Sequence, residues 1–378
     1  MDFILSKEQE MARSLFREFA QKEVRPLAVE TDETECFPTV TVEKMKKLGF
    51  FGIPIPKEYG GQGCDMLTYT LCIEELSKVC ATTGVIVSSH TSLCADPLLK
   101  FGTARQKEKY LKPLAKGRML GAFCLTEPNA GTDSAGLQTK AVLEGEKYIL
   151  NGSKIFITNG KEADIYLIFA MTDKTKKTKG ISAFIVEKGT PGFSFGTKEK
   201  KMGIRGSSTY ELVFTDLRIP KDNRLGEEGS GFNIAMQTLD GGRIGIAAQA
   251  LGIAEGAFEK TLSYIKERKQ FGRPISQFQN TQFKIAEMAT EIEAARLLVY
   301  RAARAKELQK RYSTEAAMAK LYASEAAGKI TSMALQLHGG YGYIREYEVE
   351  RMMRDARITE IYEGTSEVQR MVIAGSFL

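Results

Sequence analysis

Residues 148–160 read YILNGSKIFITNG, and this stretch decides the fold. It is short, rich in β-branched and aromatic residues, and bounded by turn residues, which is the pattern of a strand. Three more stretches of the same kind follow: ADIYLIFAM (163–171), GISAFIVEKG (180–189) and STYELVFTDLRIP (208–220). Together they predict a compact β domain over 121–227. The lysine-rich TDKTKKTKG (172–180) inside it reads as an exposed loop.

Outward from this centre the period changes to that of helices on both sides. Upstream, residues 7–28 place Met11, Leu15 and Phe19, with Phe16, Ala20 and Val24, on a helical stripe. Pro26 predicts a kink or stop near its end. A second helix is expected at 40–48, ending at Gly49. FFGIPIPKEYGGQG (50–63) then breaks the periodicity, and helical patterns return at 66–80 and about 104–115. Downstream of about residue 230 three long helical segments follow, at 241–272, 281–311 and 313–340, the last rich in alanine. Such helices bundle, within a chain or between subunits. The chain therefore reads as an α+β multidomain protein: an N-terminal helical domain (1–120), a middle β-barrel or sandwich domain (121–227) and a C-terminal helical bundle (228–378).

Composition narrows the function classes. The 378 residues are 43% hydrophobic and 26% charged, as in an ordinary globular chain. No uninterrupted apolar run reaches membrane-spanning length, so no membrane insertion is expected. The first residues do not resemble a signal or transit peptide. Six cysteines lie in no zinc-type spacing and read as reduced thiols of a cytoplasmic protein; no metal is expected. Two histidines, His90 and His338, make a serine–histidine–aspartate triad improbable. A net charge of +6 is spread among interleaved acids, which argues against a nucleic-acid surface.

Four stretches carry candidate chemistry. FCLTEPNAGTDSAG (123–136) offers Thr126, Thr132 and Ser134 hydroxyls beside Gly131 and Gly136. It suits a planar heterocycle or phosphate, or is merely a polar turn. QLHGGYGYIREYEVERMMRD (336–355) interrupts a helix with Gly339, Gly340 and Gly342. It is either a helix cap or a place where a pyrophosphate nears the backbone, and it is not a Rossmann fingerprint. ERKQFGRPISQFQ (267–279) joins Arg268 to Phe271, a phosphate-binding pair or a surface helix end. ITEIYEGTSEVQR (358–370) sets Glu363 between Tyr362 and Gly364, an unusual seat for a solvated charge.

Taken together, CLTEPNAGTDSAG, QLHGGYGYIREYEVERMMRD and IYEGTSEVQ resemble, in that order, the two signatures and the catalytic-glutamate segment of the acyl-CoA dehydrogenase family, nearest its bacterial short-chain (butyryl-CoA) branch. The resemblance spans essentially the whole chain. It implies a homotetrameric FAD enzyme that oxidises an acyl-CoA to the trans-2-enoyl-CoA. A carboxylate takes the α-proton, flavin N5 takes the β-hydrogen as hydride, and an electron-transferring flavoprotein takes the electrons, in some relatives within a bifurcating complex. The reverse, crotonyl-CoA reduction, is equally open.

Carried over by position, Glu363 is the base and the Gly364 N–H, with an FAD ribityl hydroxyl, receives the thioester carbonyl. Phe123, Leu125, Thr126, Gly131, Thr132, Phe156 and Thr158 are expected along the flavin. Arg268, Phe271 and Gln279 are expected on the FAD of a neighbouring subunit. Gln336 to Gly340, Gly339 among them, with Thr365 and Glu367, complete the FAD site. Ser134, Asp240 and Arg243 are expected toward CoA, and Tyr362 along the acyl pocket, whose depth Leu93, Tyr362 and Ile246 would set. Two positions depart from relatives. Gly242 stands where some carry the base, and Phe156 where many carry tryptophan; the first leaves the role to Glu363 alone. Other chain lengths, a branched or glutaryl substrate, and a non-catalytic flavin- or CoA-binding scaffold are the alternatives.

Overall fold

The computed structural model describes residues 4–308 and 311–378. Helix α1 (Lys7–Phe19) opens with a capping box: the Gln9 N–H donates to Ser6 Oγ, and the Ser6 N–H donates to Gln9 Oε1. A π-turn at Ala20–Val24 leads directly into α2 (Arg25–Thr34). Of the kink or stop expected at Pro26, the chain shows no stop but a break in the regular helix just before it. The proline sits in the first turn of α2, where a missing N–H costs least, and the wide turn before it makes room for the ring. The predicted stripe is also narrower than expected. Phe16, Phe19, Ala20 and Val24 are buried, but Met11 and Leu15 are exposed. Arg13 takes the inward direction at that level and pairs with Glu74 at 2.6 Å and Glu75 at 2.7 Å.

Next come α3 (Thr39–Lys47), α4 (Met66–Ser77), α5 (Ala81–Ser88) and α6 (Asp96–Phe101), with a second π-turn at Ser89–Ala95. Every residue of α5 and of that π-turn is buried. Residues 81–95 are also rich in Thr, Val, Ile, Ser and Gly, which favour helix weakly, so this stretch escapes a search for helices, whereas the equally buried α4 does not. Short helices α7 (Ala104–Gln106) and α8 (Lys112–Ala115) close the segment.

The middle segment is an eight-stranded sheet. Its strands are β1 (Gly121–Cys124), β2 (Lys140–Glu144), β3 (Lys147–Thr158), β4 (Ile165–Met171), β5 (Ile181–Glu187), β6 (Phe193–Lys198), β7 (Thr209–Pro220) and β8 (Arg224–Leu225). The order is β6-β7-β3-β2-β4-β5-β8, with β1 parallel to β4. The β3–β7 register slips between Lys154 and Ile157, and Phe156 inside this bulge has φ +57°. A bulge re-aims a side chain, and Phe156 is turned outward, 59% exposed.

Helix α9 (Gly231–Glu267) is followed by the hairpin β9 (Lys269–Gln270)–β10 (Arg273–Pro274), then α10 (Gln279–Leu308), α11 (Ser313–His338), α12 (Val349–Ile358) and α13 (Ser366–Ala374). Small residues fill the buried length of α9 from Gly241 to Ala257, so it packs closely against α4, α10 and α11. α12 ties the three segments together. Arg354 pairs with Asp32 of α2 at 2.7 Å, Arg351 donates to the Val79 carbonyl at 3.0 Å, and Asp355 accepts the Ile204 N–H of the middle segment. The loop carrying Glu363 leaves the end of this tie. Among the described residues no helix is long and apolar enough to cross a membrane, and no cluster of His, Cys, Asp and Glu could hold a metal ion.

Candidate active site

Glu363 has φ +54° and Gly364 φ +96°, two successive left-handed residues. For a glutamate this conformation is uncommon and persists only where the surroundings enforce it. The surroundings do so through the carbonyls. Lys320 Nζ donates to the Gly364 carbonyl at 2.7 Å, and Gln369 Nε2 donates to the same oxygen at 2.9 Å and to the Glu363 carbonyl at 3.2 Å. The conformation favours glycine, and an added Cβ at Gly364, 2.8 Å from Gln369 Nε2, would also push that amide from its place.

The Glu363 carboxylate points inward. Its Oε2 is buried and has no hydrogen-bond partner. Burial pushes its pKa up to about 8, against the opposing pull of Lys320 and Arg243. Gly242 of α9 faces it: a Cβ there would lie 2.0 Å from Oε2 and 2.6 Å from Leu93. The alternative base position and Glu363 thus converge on one point in space, and the missing side chain at 242 is what leaves room for the carboxylate. Beside it the Tyr362 hydroxyl donates to Gln249 Oε1, and Gln249 Nε2 donates to the Ala81 carbonyl at 2.9 Å. Arg243 is buried and pairs with Asp240 at 2.6 Å.

A second region lies on the sheet. Leu125 and Thr126 follow β1, and the Thr126 carbonyl accepts the Ile155 N–H at 2.9 Å. Glu127, which follows, is buried; it pairs with the fully buried Lys154 at 2.7 Å and accepts the backbone N–H groups of Gln138 and Thr139. Lys154 also donates to the Leu125 carbonyl at 3.0 Å. These bonds staple both ends of the 126–139 loop to the strand that carries Phe156 and Thr158.

A third region is a cleft of about 560 Å³. Arg268, Gln336, Gly339 and Gly340 line it together, with Tyr264 and Tyr341. The Arg268 guanidinium lies 5.1 Å from the centre of the Tyr341 ring. Neither histidine offers a base. His90 is buried, accepts the Gly121 N–H, and is driven down to about 3 by burial; His338 stacks on Tyr264 with ring centres 4.2 Å apart.

Sequence profiles of the acyl-CoA dehydrogenase N-terminal, middle and C-terminal domains match residues 6–118, 122–217 and 229–378. The chain belongs to the acyl-CoA dehydrogenase family. It is 62% identical to the short-chain specific acyl-CoA dehydrogenase of Clostridium acetobutylicum, over 99% of both chains. Its fold superposes on butyryl-CoA dehydrogenase from Megasphaera elsdenii with a TM-score of 0.98, at 52% identity over 100% of both chains. A chain in a structure of the electron transferring flavoprotein of Acidaminococcus fermentans matches with a TM-score of 0.99, at 57% identity over 100% of both chains. The expected fold class is thereby established.

Acyl-CoA dehydrogenases are FAD enzymes, and the residues of this chain fit the cofactor. Phe156 presents an outward ring next to the half-buried Thr158, and Thr126 is half-buried at the stapled loop. A Cβ added at Gly131, Gly339 or Gly340 would meet nothing within 4 Å, so the backbone is open to approach at each. Thr132 is exposed and Ser134 half-buried on the same loop. Phe123 is half-buried against Phe169, and the Leu125 side chain is packed in the core. Phe271 and Gln279 are exposed, Phe271 at 93% with φ +51°. Thr365 caps α13 by accepting the Val368 N–H, and Glu367 is exposed in its first turn.

Sequence reasoning missed Lys320, Gln369, Gln249, Glu127 and Lys154. A signal existed for two of them. Lys154 precedes the apolar run IFI in a strand and Lys320 follows AAMA in an alanine-rich helix, and a lysine among such neighbours is a candidate buried cation.

Proposed function

We propose that this enzyme dehydrogenates short-chain acyl-CoA thioesters, butyryl-CoA above all, between Cα and Cβ, with Glu363 as the base. The observation that carries the reading is a buried carboxylate with one oxygen left without a partner and its pKa pushed up to about 8. A thioester α-proton is weakly acidic, and a base tuned toward working pH removes it best. Glu363 Oε2 takes the proton. The Gly364 N–H donates to the thioester carbonyl, where negative charge develops. Tyr362, fixed by Gln249, and Leu93 wall the acyl chain and exclude water. The chemistry FAD supplies when bound is acceptance of the β-hydrogen as hydride.

Thr126, Thr132, Gly131, Phe123, Leu125, Phe156 and Thr158 hold the flavin end of FAD. Arg268, Phe271, Gln279, Gln336, Gly339 and Gly340 serve FAD across a subunit boundary, with Thr365 and Glu367 nearer the flavin. A phenylalanine fully exposed on a left-handed hairpin residue supports a partner subunit at Phe271. Ser134, Asp240 and Arg243 meet CoA. The enzyme is a cytoplasmic homotetramer and exchanges electrons with an electron-transferring flavoprotein, a partner supported by the Acidaminococcus fermentans match. Anaerobic addition of an acyl-CoA series to the yellow protein tests the reading. Bleaching strongest with butyryl-CoA is expected; bleaching by no acyl-CoA would overturn it.

A further inference from the structure

Gly364 is flanked by two peptide units, and both are pinned. The unit between Glu363 and Gly364 contains the Gly364 N–H and the Glu363 carbonyl in one plane. Gln369 Nε2 reaches that carbonyl at 3.2 Å, so it sets the direction of the N–H on the opposite side. The next unit offers the Gly364 carbonyl, which receives both Lys320 Nζ and Gln369 Nε2. Lys320 is fully buried on α11, and Gln369 is fully buried on α13. A buried lysine with a neutral carbonyl as its hydrogen-bond partner is expensive in isolation. Burial pushes its pKa down to about 8, and the charges around the loop offset that only in part, so Lys320 is a cation below about pH 8. The acidic groups that act on it are Glu363, Glu360 and Glu367, and Arg243 of α9 opposes them. Glu363 in turn acts on Tyr69 of α4 and on Tyr362.

We propose that Lys320 and Gln369 are positioning residues for the dehydrogenation: together they aim the Gly364 N–H at the thioester oxygen, and Lys320 also supplies a buried cation on the loop that carries the base. The inference rests on Glu363 being that base. The two residues separate the two roles. Gln369 positions without charge. Lys320 positions and also favours the ionised form of Glu363, so its removal raises the pH at which the base becomes active.

The test uses the FAD-loaded enzyme and 3-thiabutyryl-CoA, in which sulfur replaces the β-carbon so that no hydride can leave. Exchange of its α-protons in D₂O, followed by NMR against pH, reads proton abstraction alone. Gln369→Leu is expected to exchange about tenfold more slowly with the limb of the pH profile unmoved. Lys320→Met is expected to exchange at least as slowly, with the limb moved to higher pH, and Lys320→Arg to return the limb toward the parent. Parental exchange and an unmoved limb in folded, FAD-retaining Lys320→Met and Gln369→Leu would overturn the inference. Should Lys320→Met fail to fold, Gln369→Leu and Lys320→Arg decide: parental rates in both overturn it. Failure of the base assignment looks different, because Glu363→Gln would then exchange like the parent.

Discussion

Two glutamates of this chain with inward-turned carboxylates have opposite fates. Glu127 is given everything a carboxylate needs: Lys154 at 2.7 Å and two backbone N–H groups. Burial pushes its pKa up, but Lys154 and these bonds outweigh burial and hold it below the ordinary value. The Oε2 of Glu363 is buried too, but it is denied any partner, and burial wins. The difference teaches that burial alone does not make a base. At Glu363 no hydrogen bond to Oε2 opposes burial, whereas at Glu127 a lysine and two N–H groups do, and that residue becomes a staple.

The largest effect that could break this comparison is on Glu363 itself. Glu363→Gln is expected to lose turnover by about 10³- to 10⁴-fold while still binding acyl-CoA, as measured by stopped-flow and by ligand titration. If Glu127→Gln lost turnover as severely with FAD fully retained, the two roles would be indistinguishable.

Next is the space beside the base. Gly242→Ala places a methyl on the carboxylate and is expected to lower kcat/KM about 100-fold with little change in melting temperature. An unaffected kcat/KM would show that Glu363 does not work from this position.

The staple predicts the reverse pattern. Lys154→Met leaves the buried Glu127 carboxylate without its cation and is expected to destabilise the protein by about 3–5 kcal/mol in urea denaturation, with weakened FAD retention. Retained stability would mean the pair holds nothing.

The pH dependence sharpens the contrast further. Glu363 must be ionised to act, so log kcat/KM is expected to rise with pH and level off above about 8. The sign for stability is opposite. A pKa raised from 4.5 to about 8 favours the protonated fold, a contribution fully present below 4.5 and lost as pH rises through 8. Above pH 8 the Glu363→Gln variant, which cannot ionise, should therefore melt higher than the parent. The smallest effect concerns Phe156: Phe156→Ala is expected to weaken FAD retention by about 1 kcal/mol, read by flavin release on dilution.

The sequence by itself determined the helix–sheet–helix order, because period-2 and period-3.6 patterns follow from which faces are buried. It also marked Glu363 and Gly364, because an acid beside a glycine after an aromatic residue, with two other long motifs upstream, is a pattern rather than a composition. Residues 81–95 left no trace, because their Thr, Val, Ile, Ser and Gly favour helix weakly and only the tertiary core holds them helical. Met11 and Leu15 were misplaced because apolar spacing cannot show that Arg13 takes the inward direction. Only the tertiary structure decided that Glu363 Oε2 is kept without a hydrogen-bond partner while Glu127 is given several. That depends on Lys320, Gln369 and Gly242, from 6 to 121 positions away from Glu363, which shape its loop and its space, and on Lys154, 27 positions from Glu127, which gives that carboxylate its cation.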